Sequence, residues 1–286
     1  METALIFCKW VHYATAMSLF GGSLFRLLLG SGAAGIDRPL SAVFRISAAL
    51  AFLSAIAWLM LEAANMGDGW REALDPPTVW LVLSGTSFGH VWAARLVLLV
   101  SLPVAAHSAR RVPLAALSAV VLGSLGLAGY AVMEEGVGGF LHVANQIVHL
   151  LAGGAWIGAL LPLWLTLRIA RPGTIEMAAE AGRRFAFFGT VAVALVVASG
   201  IVDGLFLVGG VSDLVTTAYG LVLLAKLALV GGMLLCAALN RLVFVPKLTP
   251  ETDALMWIRR SVTAEIGLGL MVLAAASLLG TMQPPL

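Results

Sequence analysis

The sequence predicts an all-α polytopic membrane protein. Of its 286 residues, 60% are hydrophobic and only 11% charged, and mean hydropathy is +1.00. Apolar runs of about 20 residues, the length a helix needs to cross hydrocarbon, recur along the chain. Lys and Arg gather on one side of those runs. Membrane barrel strands would be about 10 residues long with strict alternation, and no such pattern is seen. The same composition excludes a nucleic-acid-binding protein. No nucleophile–base constellation, phosphate-binding glycine loop or HExxH stretch points to an enzyme.

Eight spans are expected: Leu5–Gly30, Pro39–Ala64, Phe88–Ser108, Val112–Val132, Gly139–Ile169, Arg184–Val208, Ala218–Val245 and Ile258–Thr281. Of the 17 Lys and Arg residues, all but Lys9, Arg71, Arg95 and Lys226 fall on the side of the odd-to-even connections. The positive-inside rule puts that side in the cytoplasm and both termini in the periplasm. The outer loops are acidic, with Asp68, Glu72, Asp75, Glu134, Glu135 and Asp213. The first span is long and lacks a basic leader, so no cleavable signal is expected. Cys8 and Cys236 lie toward opposite faces and are expected as free thiols.

The first span places Cys8 and His12 four residues apart on one helical face, a spacing at which thiol and imidazole can share a soft metal ion. The second ends at the outer face with Glu62, followed by Asn65 and Met66. The loop Gly67–Thr86 carries Trp70, Trp80, Pro76 and Pro77 and is expected along the interface. The third span opens at His90, carries Arg95 at depth and closes near His107, beside Arg110 and Arg111. The fifth, HVANQIVHLLAGGAWIGALLPLW (142–164), holds His142 and His149 with Asn145 between them. Seven residues are nearly two turns, so both rings leave one face. Its Gly153, Gly154 and Gly158 let a neighbouring backbone come close. TIEMAAEAGRRF (174–185) is expected as a short interfacial helix before the sixth span, which ends near Asp203. The last span carries Glu265 and stops at Pro284 and Pro285.

An internal repeat divides this single membrane domain into halves 1–137 and 138–286. TSFGHVWAARL (86–96) matches TAYGLVLLAKL (217–227), pairing Arg95 with Lys226. His12 and His149 are each followed by a glycine nine residues on, Gly21 and Gly158. Four spans per half is even, so the repeat is parallel, and the two histidines are expected to face one another across a pseudo-two-fold axis. Arg95 and Lys226, at about 2.5–3.5 kcal/mol each to insert at depth, call for counter-charges, for which Glu62, Asp203 and Glu265 are available.

His12, Glu62, His90, His142, His149 and Asp203 all fall in the outer half, with Met66 and Met133 near the same face. Imidazole with thioether suits copper. His142 and His149 stand about 10 Å apart along the axis, too far to clamp one ion. They read as two stations: His142 at the mouth, His149 deeper and paired with His12. A haem b held by His12 and His149 is the alternative. A plainer one is a bundle whose histidines only satisfy buried hydrogen bonds.

WVHYATAMSLFGG, VHLLAGGAWIGALLPLW, TAYGLVLLAKLALV and the terminal SLLGTMQPP resemble the copper resistance protein D (CopD) family of bacterial inner-membrane proteins, over essentially the full chain. The resemblance implies copper uptake across the inner membrane with a periplasmic copper-binding partner of the CopC type, which would be another chain. It carries over His12, His142 and His149 only as candidate ligands.

Overall fold

A computed structural model describes residues 1–30, 35–67, 69–107, 111–129, 136–171, 174–247 and 253–285. Among them the regular structure is entirely helical. The α-helices are α1 (Glu2–Leu29), α2 (Asp37–Met66), α3 (Pro76–Gly85), α4 (Ser87–His107), α5 (Arg111–Gly123), α6 (Gly136–Ile169), α7 (Ile175–Leu207), the single turn α8 (Asp213–Thr216), α9 (Ala218–Leu239) and α10 (Ala254–Leu279). A 3-10 turn, Ser124–Leu127, extends α5.

Six helices are long and apolar enough to cross a membrane: α2, α4, α6, α7, α9 with its continuation to Lys247, and α10. Helix α1 is not among them, and α5 with its 3-10 turn is shorter. The position of α1 explains its weaker hydropathy, because it packs against α2, α5, α6 and α10. Wrapped by protein, it can carry Lys9, His12, Ser23 and Arg26 without presenting them to lipid.

The α1–α6 crossing is the tightest junction of the bundle. A Cβ on Gly21 would stand 2.6 Å from the Gly158 carbonyl carbon, and one on Gly158 would stand 3.1 Å from the Gly21 Cα. Glycine is required here because backbone meets backbone, with Met17 and Phe20 packed over Gly154 alongside. Gly21 and Gly158 therefore touch.

Basic residues from several helix ends meet at one end of the bundle. Arg26 Nε donates to Asp37 Oδ1 at 2.8 Å, and Arg111 reaches the same carboxylate at 3.5 Å. Arg184 donates to the Leu28 carbonyl, and Arg259 caps the Leu167 and Ala170 carbonyls at the end of α6.

Two connections differ from expectation. Residues 174–185 form no separate interfacial helix: α7 runs unbroken from Ile175 to Leu207, since Ala and Glu there are strong helix formers and no breaker follows. The loop 67–86 folds into a 3-10 turn (Glu72–Leu74) and α3, whose start is set by Asp75 accepting from the Thr78 amide and by Pro76 and Pro77 in the first turn.

Candidate functional site

Helix α6 turns His142, Asn145 and His149 toward α7, which answers with Ser199 and Asp203, four residues apart on one face. Asn145 Nδ2 donates to Asp203 Oδ1 at 2.6 Å and to the Ser199 carbonyl at 2.9 Å. Asp203 then stands between the histidines, its Oδ1 3.8 Å from His142 Nε2 and its Oδ2 3.9 Å from His149 Nδ1. The His142 ring stacks on Phe206 at 4.4 Å. The His149 ring lies over Gly200, where a Cβ would stand 3.4 Å from its Cε1. Two stations inferred from helical rise thus share one carboxylate.

Hydrogen bonding sets the His149 tautomer. Ser199 Oγ gives its proton to the Leu195 carbonyl at 2.5 Å, so it accepts from His149 Nδ1–H at 2.9 Å. The lone pair is left on Nε2, on a side chain 21% exposed, and the serine fixes the ring as an outer-shell partner fixes a metal-binding imidazole. The Lys226 ammonium acts electrostatically on both His149 and Asp203. As they stand, no three His, Cys, Asp or Glu side chains among the described residues are gathered to hold a metal ion. The two rings approach opposite oxygens of Asp203, so binding one ion requires their side chains to close around it.

The first half repeats this arrangement with a different outcome. His12 Nδ1 lies 2.9 Å from Ser54 Oγ, which donates to the Ala51 carbonyl, as Ser199 does to Leu195. Cys8 Sγ donates to the Ser54 carbonyl at 3.1 Å, as Asn145 does to that of Ser199. Arg95 Nη2, however, donates to His12 Nε2 at 2.7 Å. Guanidinium has no acceptor, so the His12 lone pair is consumed. Trp58 occupies the place corresponding to Asp203, and Trp58 and Trp92 pack around the ring. His12 is fully buried, and this pocket is closed.

The expected facing pair His12/His149 is not formed: His12 turns to α2 and α4, His149 to α7. That also removes the bis-histidine haem geometry, because both His12 ring nitrogens are hydrogen-bonded within the protein and the pair does not meet. Cys8 and His12 converge on Ser54. Among the described residues Arg95 has no carboxylate partner, contrary to the expected salt bridge. It donates to the Val121 carbonyl at 2.7 Å and Ser124 Oγ at 2.6 Å and lies over Trp92, a neutral cage made possible by the carbonyls where α5 tightens into its 3-10 turn. Glu62 accepts from Trp58 Nε1 and pairs with Lys9 at 4.0 Å. Lys9 also donates to the Gly280 carbonyl at 2.9 Å. His90 is exposed, donating Nε2–H to the Ser84 carbonyl, and Met66 is exposed at the end of α2. Met133 lies outside the described residues.

Ser54, Ser199, Phe206 and Trp58 went unnoticed in the sequence reading. Comparing the second and sixth spans exposes the signal: SAIAW (54–58) and SGIVD (199–203) share the serine and its spacing to Trp58 or Asp203.

A helical bundle with six helices long and apolar enough to cross a membrane, carrying a polar His/Asp/Asn cluster, is thus the class of protein described. The chain belongs to the copper resistance protein D family. Residues 1–140 match the family described as copper resistance protein D-like, N-terminal domain, and residues 179–279 match copper resistance protein D. Copper resistance protein D of Pseudomonas syringae pv. tomato is 35% identical, with 99% of this chain and 98% of the relative covered. Inner membrane protein YebZ of Escherichia coli K12 is 32% identical over 96% of this chain and 97% of its own. Copper transport protein CutJ of Bacillus subtilis 168 is 28% identical, and this chain spans 51% of its length. No solved structure matches.

Proposed function

We propose that this protein carries copper ions inward across the bacterial inner membrane, receiving them from the periplasm at His142, Asp203 and His149. The observation that carries the reading is the Asp203 carboxylate, which His142 approaches through Nε2 and His149 through Nδ1, with the His149 Nε2 lone pair engaged by neither Ser199 nor Asp203. The names of the relatives, copper resistance protein D and copper transport protein CutJ, give the cargo. Imidazoles and a carboxylate receive a copper ion well, and Asn145 and Ser199 hold two of these groups in place. Copper is the substrate here.

The topology that serves this function has eight spans, counting α1, whose 28 residues reach about 42 Å, and α5. Both termini are periplasmic, and two parallel four-helix repeats meet at Gly21 and Gly158. In the repeat reading, the His12 pocket is the sealed counterpart of the His149 pocket: Arg95 caps in the first half what Lys226 leaves open in the second. The donor of copper is a separate periplasmic copper-binding protein of the CopC type, docking where the acidic outer loops lie. His90 and Met66, exposed at that face, are candidates for the handover.

The test is copper retention and uptake by purified protein in vesicles. His149→Ala and Asp203→Asn should each lower copper affinity at the outer cluster at least tenfold, while His12→Gln leaves it unchanged. Wild-type protein that neither retains nor admits copper would sink the reading. Sharp α and β bands in a reduced optical spectrum would instead support haem.

A further inference from the structure

Four buried side-chain polar atoms among the described residues have no hydrogen-bond partner: Arg95 Nε, Asn240 Oδ1, Ser261 Oγ and Glu265 Oε2. Three of the four are oxygens of one cluster, where α9 meets α10 on the cytoplasmic side of the bundle. Buried polar groups are ordinarily satisfied, so an unmet group asks for an explanation. Three unmet oxygens together describe a place for something electron-poor.

Glu265 is the centre of the cluster. It is 1% exposed and lines a cavity of about 260 Å³ between α6, α7, α9 and α10. Its Oε1 accepts from Asn240 Nδ2 at 2.5 Å, and its Oε2 has no partner. No cation among the described residues pairs with it. Arg241, which lines the same cavity, spends its guanidinium on Thr190 Oγ1 and the Ala186 carbonyl. A buried carboxyl without a counter-charge either stays protonated or meets a cation from outside. The fourth member is a thiol: Cys236 lies one turn before Asn240 on α9, beside Ser261 and close enough to Glu265 to interact electrostatically. Ser261 and Glu265 are likewise one turn apart on α10, so both helices present their pairs on single faces.

We propose that Glu265, Asn240, Ser261 and Cys236 form a second, cytoplasmic-side cation station that accepts a cuprous ion on its way out of the bundle. The proposal rests on the copper-carrying reading above for the identity of the ion. A carboxylate, an amide oxygen and a hydroxyl supply the oxygens, and the thiol supplies the soft donor that favours the cuprous state over other cations. The apolar lining of the cavity beside Glu265 and Asn240, including Leu163 and Phe185, excludes water and so strengthens the attraction of the carboxylate for the ion, while Trp156 is a hydrogen-bonding neighbour of Glu265.

Thiol protection tests this directly. Cys8→Ser leaves Cys236 as the single thiol. Detergent-purified Cys8→Ser protein is alkylated with a maleimide, with and without cuprous ion under anaerobic conditions. Copper should slow labelling of Cys236 at least fivefold. Glu265→Gln keeps the carboxamide oxygen for Asn240 but removes the charge, and should abolish the protection. In vesicles the same variant should admit copper at least tenfold more slowly while still retaining it at the outer cluster. Asn240→Ala, which leaves the carboxyl untouched, should weaken protection without removing it, and is the second variant if Glu265→Gln fails to fold. Equal labelling with and without copper, or wild-type uptake by Glu265→Gln, overturns the inner station. The outer reading is tested apart from it: with His149→Ala and Asp203→Asn added, Cys236 protection should persist. Protection in a protein that admits no copper would leave the inner site standing and remove the transport function.

Discussion

Replacing Gly158 with Ala puts a methyl group into the α1–α6 crossing. That methyl would stand 2.6 Å from the Met17 carbonyl carbon and 3.1 Å from the Gly21 Cα. Both obstacles are backbone, so no side chain can swing away. The Met17 carbonyl oxygen stands nearer still, and comfortable contact needs about 3.5 Å, so the two helices must part by more than about 1 Å. Overpacking against backbone on both sides falls in the upper part of the usual range, about 2–3 kcal/mol, partly offset by the roughly 1 kcal/mol that Ala gains over Gly inside a helix. The net loss should be about 1–2 kcal/mol, a five- to thirtyfold shift in the folded-to-unfolded ratio. Gly153→Ala is the control on the same helix: its new methyl meets only the mobile Met17 Cε, at 3.7 Å. It should therefore be neutral or stabilising by up to about 1 kcal/mol. Reversible unfolding of detergent-purified protein in a denaturant titration measures both. If the two variants agree within about 0.5 kcal/mol, the crossing is not as close as described and the argument from backbone contact fails.

Four further outcomes are expected. His12→Ala should destabilise the bundle by about 1–3 kcal/mol, because the buried Arg95 guanidinium loses an acceptor, yet leave copper retention unchanged; loss of copper at normal stability would return His12 to the ligand set. Cys8→Ser should fold and take up copper normally, since a hydroxyl can also donate to the Ser54 carbonyl; impaired uptake at normal stability would show that the thiol itself binds metal. Ser199→Ala should lower copper affinity by about ten- to a hundredfold, the usual effect of losing a group that orients a ligand, with a smaller change if His149 is not a ligand. Copper retention at the outer cluster should weaken on acidification, because ligands must be deprotonated to bind metal; retention that does not change on acidification would exclude the cluster.

The sequence by itself determined the helical membrane class, because apolar length and charge asymmetry are one-dimensional properties that the bilayer reads directly. It also marked His142, Asn145 and His149 as one face of one helix, since helical periodicity is local. Pairing Gly21 with Gly158 needed only a comparison of the halves. Which ring meets which partner was not local. From spacing alone His12 and His149 looked like a facing pair, and only helix packing turned one toward Arg95 and the other toward Asp203. A span's rotation about its own axis is set by its neighbours, at Gly21 and Gly158 by the steric demand of backbone against backbone. The fate of the cations was tertiary as well: Arg95 found a carbonyl, a hydroxyl and an imidazole instead of a carboxylate, and Lys9 took Glu62. Glu265 was legible as a buried acid, but that three unmet oxygens and a thiol share its corner depends on how α9 and α10 lie against each other.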